Sequence, residues 1–180
     1  MARVLIPLAQ GCEELEAVTI IDLLRRAEIE VVTAGLEDGS ITASRGVVLT
    51  PDTHLDAVAD QDFDMIVLPG GLPGADHLDK DPRVHALLKR LSESGKYTAA
   101  ICAAPKILAN AGLLEGKSAT CYPGFLEPFP QVDVLGSSVV SDGKVITSRG
   151  PGTAMDFALA LIETLKGKAL RKSVEDALVR

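Results

Sequence analysis

The sequence predicts an α/β fold, a mostly parallel central sheet held between layers of helices. Three observations lead there. The first 34 residues read as strand, helix, strand: Arg3 to Leu8 is an apolar run, Glu13 to Arg26 has helical spacing, and Ile29 to Ala34 is a second apolar run. A β-α-β unit of this kind pairs its strands in parallel through a right-handed crossover. Two further apolar runs of strand length, Asp64 to Pro69 and Tyr97 to Ile101, alternate with helical segments. Both runs end in unusual turn chemistry, Gly70-Gly71 and Cys102, and parallel sheets bind ligands beyond the carboxyl ends of their strands.

Each element has its own warrant. In the first helix Ala17, Ile20, Ile21 and Leu24 follow the i, i+3, i+4, i+7 pattern. Acidic residues crowd its first turn and Arg25 and Arg26 its last, as the helix dipole favours. Gly35 to Pro51 breaks the rhythm. Ser40 to Ala43 and Val47 to Thr50 flank Ser44-Arg45-Gly46 and read as a hairpin set aside from the main sheet, an edge or a partner surface. Thr53 to Ala59 is expected as a short helix. Asp81 to Ser94 is a helix with Val84, Leu87, Leu88 and Leu91 inward and Gly95 just past its end. A helix from Pro105 to about Leu114 follows the Cys102 turn, then a strand around Ser118 to Cys121 and a proline-rich loop from Tyr122 to Pro130. Val139 to Ser141 and Lys144 to Thr147 form a hairpin about Asp142-Gly143. Ser148 to Gly152 is a rigid connection. Thr153 to Asp156 has the pattern of a capping box, and Met155, Ala158, Leu159 and Ile162 are expected to face the core. Gly167 ends that helix, and Lys168 to Val179 is a last one.

Bulk properties narrow the classes. A chain of 180 residues suits one domain, 1–180, and is long enough for a real core. Hydrophobic residues make up 47% but aromatics only 3%, so aliphatic side chains must build that core. The net charge of −7, with no basic cluster among aromatics, argues against nucleic-acid binding. Val4 to Leu8, broken by Pro7, is too short for a signal peptide or a membrane span. Three cysteines without an export signal point to a reducing cytoplasm and free thiols. Neither a CxxC nor a His/Cys cluster is present, so no metal ligand set is at hand.

The chemistry centres on Cys102. It stands where a strand becomes a helix, the geometry of a nucleophile elbow, although no Gly-x-Ser-x-Gly pattern surrounds it. No side chain between Cys102 and Pro105 can cap the helix, so its free amides are open to an anion. A thiol there is expected to have a lowered pKa and to be nucleophilic. The amides of Gly70 and Gly71 could form an oxyanion site. The alternatives stay open at this level: Cys102 also reads as a buried small apolar residue, and Gly70-Gly71 as a plain tight turn.

Four motifs then stand together. Gly11-Cys12-Glu13-Glu14-Leu15-Glu16, Leu68-Pro69-Gly70-Gly71, Ala99 to Pro105 around Cys102, and Ser148-Arg149-Gly150-Pro151-Gly152-Thr153 resemble the ThiJ/PfpI superfamily, in order and nearly end to end. The branch resembled is the parkinsonism-associated protein deglycase with its bacterial ThiJ/YajL relatives. The resemblance implies a flavodoxin-like three-layer sandwich of the class I glutamine-amidotransferase-like kind, a homodimer, and no cofactor or metal. It implies Cys102 as nucleophile and Glu16 as its protonated partner; periodicity alone does not choose among Glu13, Glu14 and Glu16, and the first two are expected to be solvated. Gly70, Gly71 and Ala103 would bind oxyanion or substrate, with Tyr122 and Arg149 as possible auxiliaries. Where the parkinsonism-associated branch has a histidine, this chain has Tyr122, and His77 is the histidine nearest the Gly70-Gly71 loop in sequence. The protease-like branch has a histidine after its cysteine; Ala103 stands there, which disfavours a peptidase. The activity implied is a glyoxalase or deglycase acting on 2-oxoaldehydes such as methylglyoxal and on early glycation adducts, in defence against carbonyl and oxidative stress. The competing reading is a redox sensor or stress chaperone that works by oxidation of Cys102.

Overall fold

The computed structural model describes residues 1–180. Its strands are β1 (Arg3–Leu8), β2 (Glu30–Gly35), β3 (Ile41–Thr42), β4 (Val48–Leu49), β5 (Thr53–His54), β6 (Met65–Leu68), β7 (Tyr97–Ile101), β8 (Ser118–Ala119), β9 (Asp133–Val134), β10 (Val139–Asp142) and β11 (Val145–Ser148). Its helices are α1 (Glu14–Arg26), α2 (Gly74–Lys80), α3 (Pro82–Glu93), α4 (Pro105–Asn110), α5 (Ala154–Lys166) and α6 (Lys168–Ala177). The main sheet has seven strands in the order β10-β11-β7-β6-β1-β2-β5. All neighbours pair in parallel except β10 and β11, the hairpin expected at Asp142-Gly143. Helices α1, α5 and α6 pack together as one layer, and α2 packs on α3 and α4 as the other. No helix is long and apolar enough to cross a membrane.

Central strands buried on both faces must be apolar throughout. Met65 to Leu68 and Ala99 to Ile101 are all at 0% exposure, which is why both stretches read as uninterrupted apolar runs. The order of the strands puts β6 beside β7 in the middle of the sheet, so Gly70 and Cys102 emerge side by side.

The segment 40–50 forms the two-stranded antiparallel pair β3-β4 apart from the main sheet, as its pattern suggests. It is tied down by Glu14. That carboxylate, expected to be solvated, is buried and accepts hydrogen bonds from the Arg45 N–H at 2.8 Å and the Ser44 hydroxyl at 3.0 Å.

Other expectations give way to long-range contacts. Thr53 and His54 join the sheet edge as β5, and only Leu55–Ala57 makes a single 3₁₀ turn where a helix is expected. Asp52 anchors the strand entry by accepting from both the Thr33 N–H and its hydroxyl. Helix α2 has too few apolar residues to betray itself. It forms because Gly74 packs on the backbone of residue 12, where a Cβ would stand 2.5 Å from the Cys12 nitrogen. Helix α4 stops at Asn110, short of Leu114. Strand β9, in the stretch after the proline-rich loop, pairs in parallel with β8. In α1 Leu23 rather than Ile21 completes the buried face. Met155 is 45% exposed and Phe157 takes the core position instead. The Thr153 capping box does not form, because Thr153 Oγ1 is engaged by Ser148 Oγ at 2.7 Å and by Gly150.

Candidate active site

Cys102 closes β7 with φ at +64°, a left-handed conformation that an L residue other than glycine adopts at a cost of about 1–3 kcal/mol. Two backbone hydrogen bonds hold it there. The Cys102 N–H donates to the Ser148 carbonyl at the end of β11, at 3.0 Å, and the Cys102 carbonyl accepts from the Tyr122 N–H at 2.9 Å. The elbow is thus clamped from both sides, and Cys102 is buried there, 8% exposed.

Glu16 reaches the same place from the first turn of α1. It is fully buried. Its Oε2 accepts from the Gly70 N–H at 2.8 Å, and the Gly70 carbonyl accepts from the Glu13 N–H at 2.9 Å. The start of α1 is therefore latched to the end of β6. Glu16 Oε1 has no hydrogen-bond partner in the protein. A Cβ on Gly70 would stand 2.8 Å from Cys102 Cβ and 2.9 Å from Glu16 Oε2, so only glycine lets acid and thiol approach.

Burial pushes the Glu16 carboxyl up to about 7, against the lowering effects of the Gly70 N–H and of Cys102. The Cys102 thiol is pushed up as well, to about 12, by burial first, then by the negative charge of Glu16 and the hydrogen bond to it. This corrects the expectation of an acidified thiol. Helix α4 is only six residues long, and the N–H groups of Gly71 and Ala103, which do stabilise the sulfur anion, are outweighed by desolvation. Two of the opposing effects come from an ionised Glu16, so a proton on Glu16 removes them. Carboxyl and thiol behave as a coupled pair that ionises one member at a time.

The structure brings Cys102, Glu16, Gly70, Gly71 and Ala103 together, with one change of role. The Gly70 N–H is committed to Glu16, which leaves Gly71 and Ala103 as the amides that face the sulfur. Tyr122 lines the mouth of the site. Arg149 does not; its guanidinium donates to the Gly136 carbonyl at 3.4 Å. His77 borders a different cleft, beside Gln10 and Lys80. Cys12 and Cys121 are buried, unpaired thiols, and burial pushes both up.

A cleft of about 300 Å³ opens over Cys102. Its walls include residues to which the sequence reading assigns no place in the site: Glu13, Ser44, Arg45, Leu72, Phe125 and Pro151. The Ser44-Arg45-Gly46 turn stands out in the sequence as a surface, but no local signal tells that it folds over the start of α1.

An unpaired thiol on a strained strand-to-helix elbow, beside a buried carboxyl on a flavodoxin-like sheet, defines a class of cysteine-centred α/β proteins. Comparison with known proteins narrows the class. Residues 2–164 match the DJ-1/PfpI family, and the chain belongs to it. It is 44% identical to protein dj-1beta of Drosophila melanogaster, over 97% of this chain and 95% of that protein. The crystal structure of Drosophila DJ-1beta superposes with a TM-score of 0.95, covering 99% of this chain and 97% of the other. The glutathione-independent glyoxalase DJR-1.2 of Caenorhabditis elegans is 36% identical over 92% of this chain and 89% of that protein. The DJ-1 homolog B of Arabidopsis thaliana is 43% identical over 98% of this chain, which spans only 41% of that longer protein.

Proposed function

We propose that this chain is a cofactor-independent cysteine enzyme that converts 2-oxoaldehydes to 2-hydroxy acids and releases early glycation adducts, protecting against carbonyl and oxidative stress. The observation that carries the reading is the buried Glu16 carboxyl beside Cys102, with a pKa raised to about 7 and an oxygen, Oε1, left without a protein partner. A carboxyl poised near neutrality exchanges protons in both directions. The glyoxalase name of the nematode relative points the same way.

The steps follow from the geometry. Cys102 Sγ adds to the aldehyde carbon, and the new oxygen takes a proton, giving a hemithioacetal. The amides of Gly71 and Ala103, which face the sulfur, lie nearest to the charge that develops there. Glu16 removes the proton from the former aldehyde carbon and returns one to the adjacent carbon, leaving a thioester of the 2-hydroxy acid. Water hydrolyses the thioester and restores the thiol. The aldehyde carbon is oxidised and the ketone carbon reduced, so no external oxidant or cofactor enters. Early adducts of the same aldehydes with amines and thiols revert to free aldehyde and the free amine or thiol, and consumption of that aldehyde at Cys102 draws the reversal forward.

The test is steady-state lactate formation from methylglyoxal with the enzyme at catalytic concentration. Turnover in the native chain and a loss of at least ~1000-fold in Cys102→Ser are expected, since the nucleophile is removed. No turnover, with stoichiometric addition of oxygen to Cys102 by peroxide, would favour the redox-sensor reading instead.

A homodimer is part of the same proposal. Leu15 and Val18, one turn apart on α1, are 51% and 46% exposed, and Val47 and Val48 on the neighbouring hairpin 48% and 61%. An apolar patch on two elements that Glu14 latches together suits a second copy. Light scattering is expected to give twice the chain mass, and Val18→Lys with Val48→Glu the single chain mass. Three unpaired thiols support a reducing, cytoplasmic setting.

A further inference from the structure

We infer that the Cys102 cleft selects 2-oxoaldehydes with a flat, apolar substituent, aryl glyoxals above methylglyoxal, through a wall built from Tyr122, Phe125 and Leu72. The inference rests on the 2-oxoaldehyde reading above and deepens it.

The cleft is larger than a three-carbon aldehyde needs. Its 300 Å³ reaches the lower end of the roughly 300–1,000 Å³ that hold drug-sized ligands. Part of the lining is polar, Glu13, Ser44 and Arg45, and part is apolar, with Leu72, Tyr122 and Phe125 its large side chains. Leu72 and Tyr122 are 50% and 48% exposed, among the few large apolar side chains left open to solvent. The Tyr122 and Phe125 rings meet edge to face with centroids 6.2 Å apart. An exposed aromatic side chain with few rotatable bonds offers contact area at little entropic cost.

The wall is fixed from behind. Tyr122 is the residue whose N–H donates to the Cys102 carbonyl, so the backbone that carries the ring is tied to the elbow. Its Cδ2 lies against Gly150, where a Cβ would stand only 3.4 Å away. Lys106 Nζ lies 5.5 Å from the Phe125 ring centroid and is ion-paired with Asp76, which ties the wall to α4 and α2. A methyl group on the ketone carbon is too small to cover this wall, whereas a planar ring bound head-first at Cys102 can lie along it. The reaction is the same balanced one, an aryl glyoxal plus water giving an aryl 2-hydroxy acid.

The experiment compares initial rates of mandelate formation from phenylglyoxal with lactate formation from methylglyoxal. The expected ratio of kcat/KM is at least ~10 in favour of phenylglyoxal, the size of effect that apolar pocket contacts give. Tyr122→Ala and, independently, Leu72→Ala are each expected to reduce that ratio at least ~3-fold, mainly through the KM for phenylglyoxal. Both side chains are half exposed, so the substitutions spare the core, and circular dichroism verifies the fold. Methylglyoxal turnover with a native ratio near or below one overturns the inference and leaves the parent reading standing. So does a high ratio that neither substitution moves. Absence of turnover on both substrates overturns the parent reading and this one with it.

Discussion

Glu16→Gln is expected to abolish turnover and, at the same time, to make the stability of the native chain relative to the variant fall as pH rises. The carboxyl is fully buried, and its pKa in the fold is about 7, above the ordinary value of 4.5. A group raised in this direction binds its proton more tightly when folded. The stability it contributes is fully present below pH 4.5 and is lost as pH rises through 7. Glutamine mimics the neutral acid and has no such dependence. Relative to Glu16→Gln, the native chain should therefore lose about 3 kcal/mol between pH 4.5 and pH 8, the free-energy equivalent of a shift from 4.5 to about 7. Glu13 contributes to that shift in the same direction, and Cys102 against it. Denaturant unfolding of both proteins at pH 5 and pH 8 measures the gap. A gap that stays constant across that window would show that the carboxyl is not held neutral by burial, and the proton-shuttle role would go with it.

Gly71→Ala is expected to cost about 2–5 kcal/mol, the sum of a left-handed backbone penalty and overpacking. Gly71 has φ at +85°, and a Cβ there would stand 2.4 Å from the Glu13 nitrogen and 2.8 Å from the Cys12 carbonyl carbon. Both are backbone atoms at the entry to α1, so neither can swing aside. Relief would have to move the start of α1, and with it Glu16. Gly112→Ala supplies the internal comparison: φ is +75°, but no atom lies within 4 Å of the added Cβ. Only the conformational penalty of roughly 1–2 kcal/mol applies there. Equal losses of stability in the two variants would mean that the close approach of the Gly71 loop to α1 does not exist in solution. Lactate formation should fall further in Gly71→Ala than in Gly112→Ala, because the amide that faces the sulfur is displaced.

The elements that could be read in advance are those whose signal is local. Tyr97 to Ile101 has the same bounds in the sequence reading and in the structure, because a continuous apolar run ended by a cysteine and a proline leaves few alternatives. The Asp142-Gly143 hairpin and the inward face of α3 are equally local. Helix α2 and strands β5 and β9 were not legible, since each exists only through a partner supplied by a distant part of the chain. At the site, Cys102 was visible from its own neighbours and Glu16 from family likeness. Periodicity places Glu13, Glu14 and Glu16 within one turn and cannot rank them. The fold separates them: Glu16 faces the thiol, Glu14 accepts from the Arg45 N–H of the hairpin, and Glu13 lies at the edge of the cleft within reach of the Ser44 hydroxyl.

The central apolar strands, the elbow and the two glycines were thus written into short stretches of chain, where spacing and backbone freedom act between near neighbours. The pairing of acid with thiol, and the protonation of both, were not. Glu16 and Gly70 meet across 54 positions of sequence, and their contact depends on how α1 lies over the ends of β6 and β7. The free helix-end amides suggested an acidic thiol, yet burial raises it. Desolvation is a property of everything packed around a group, so charge state belongs to the assembled molecule and cannot be read from the residues on either side.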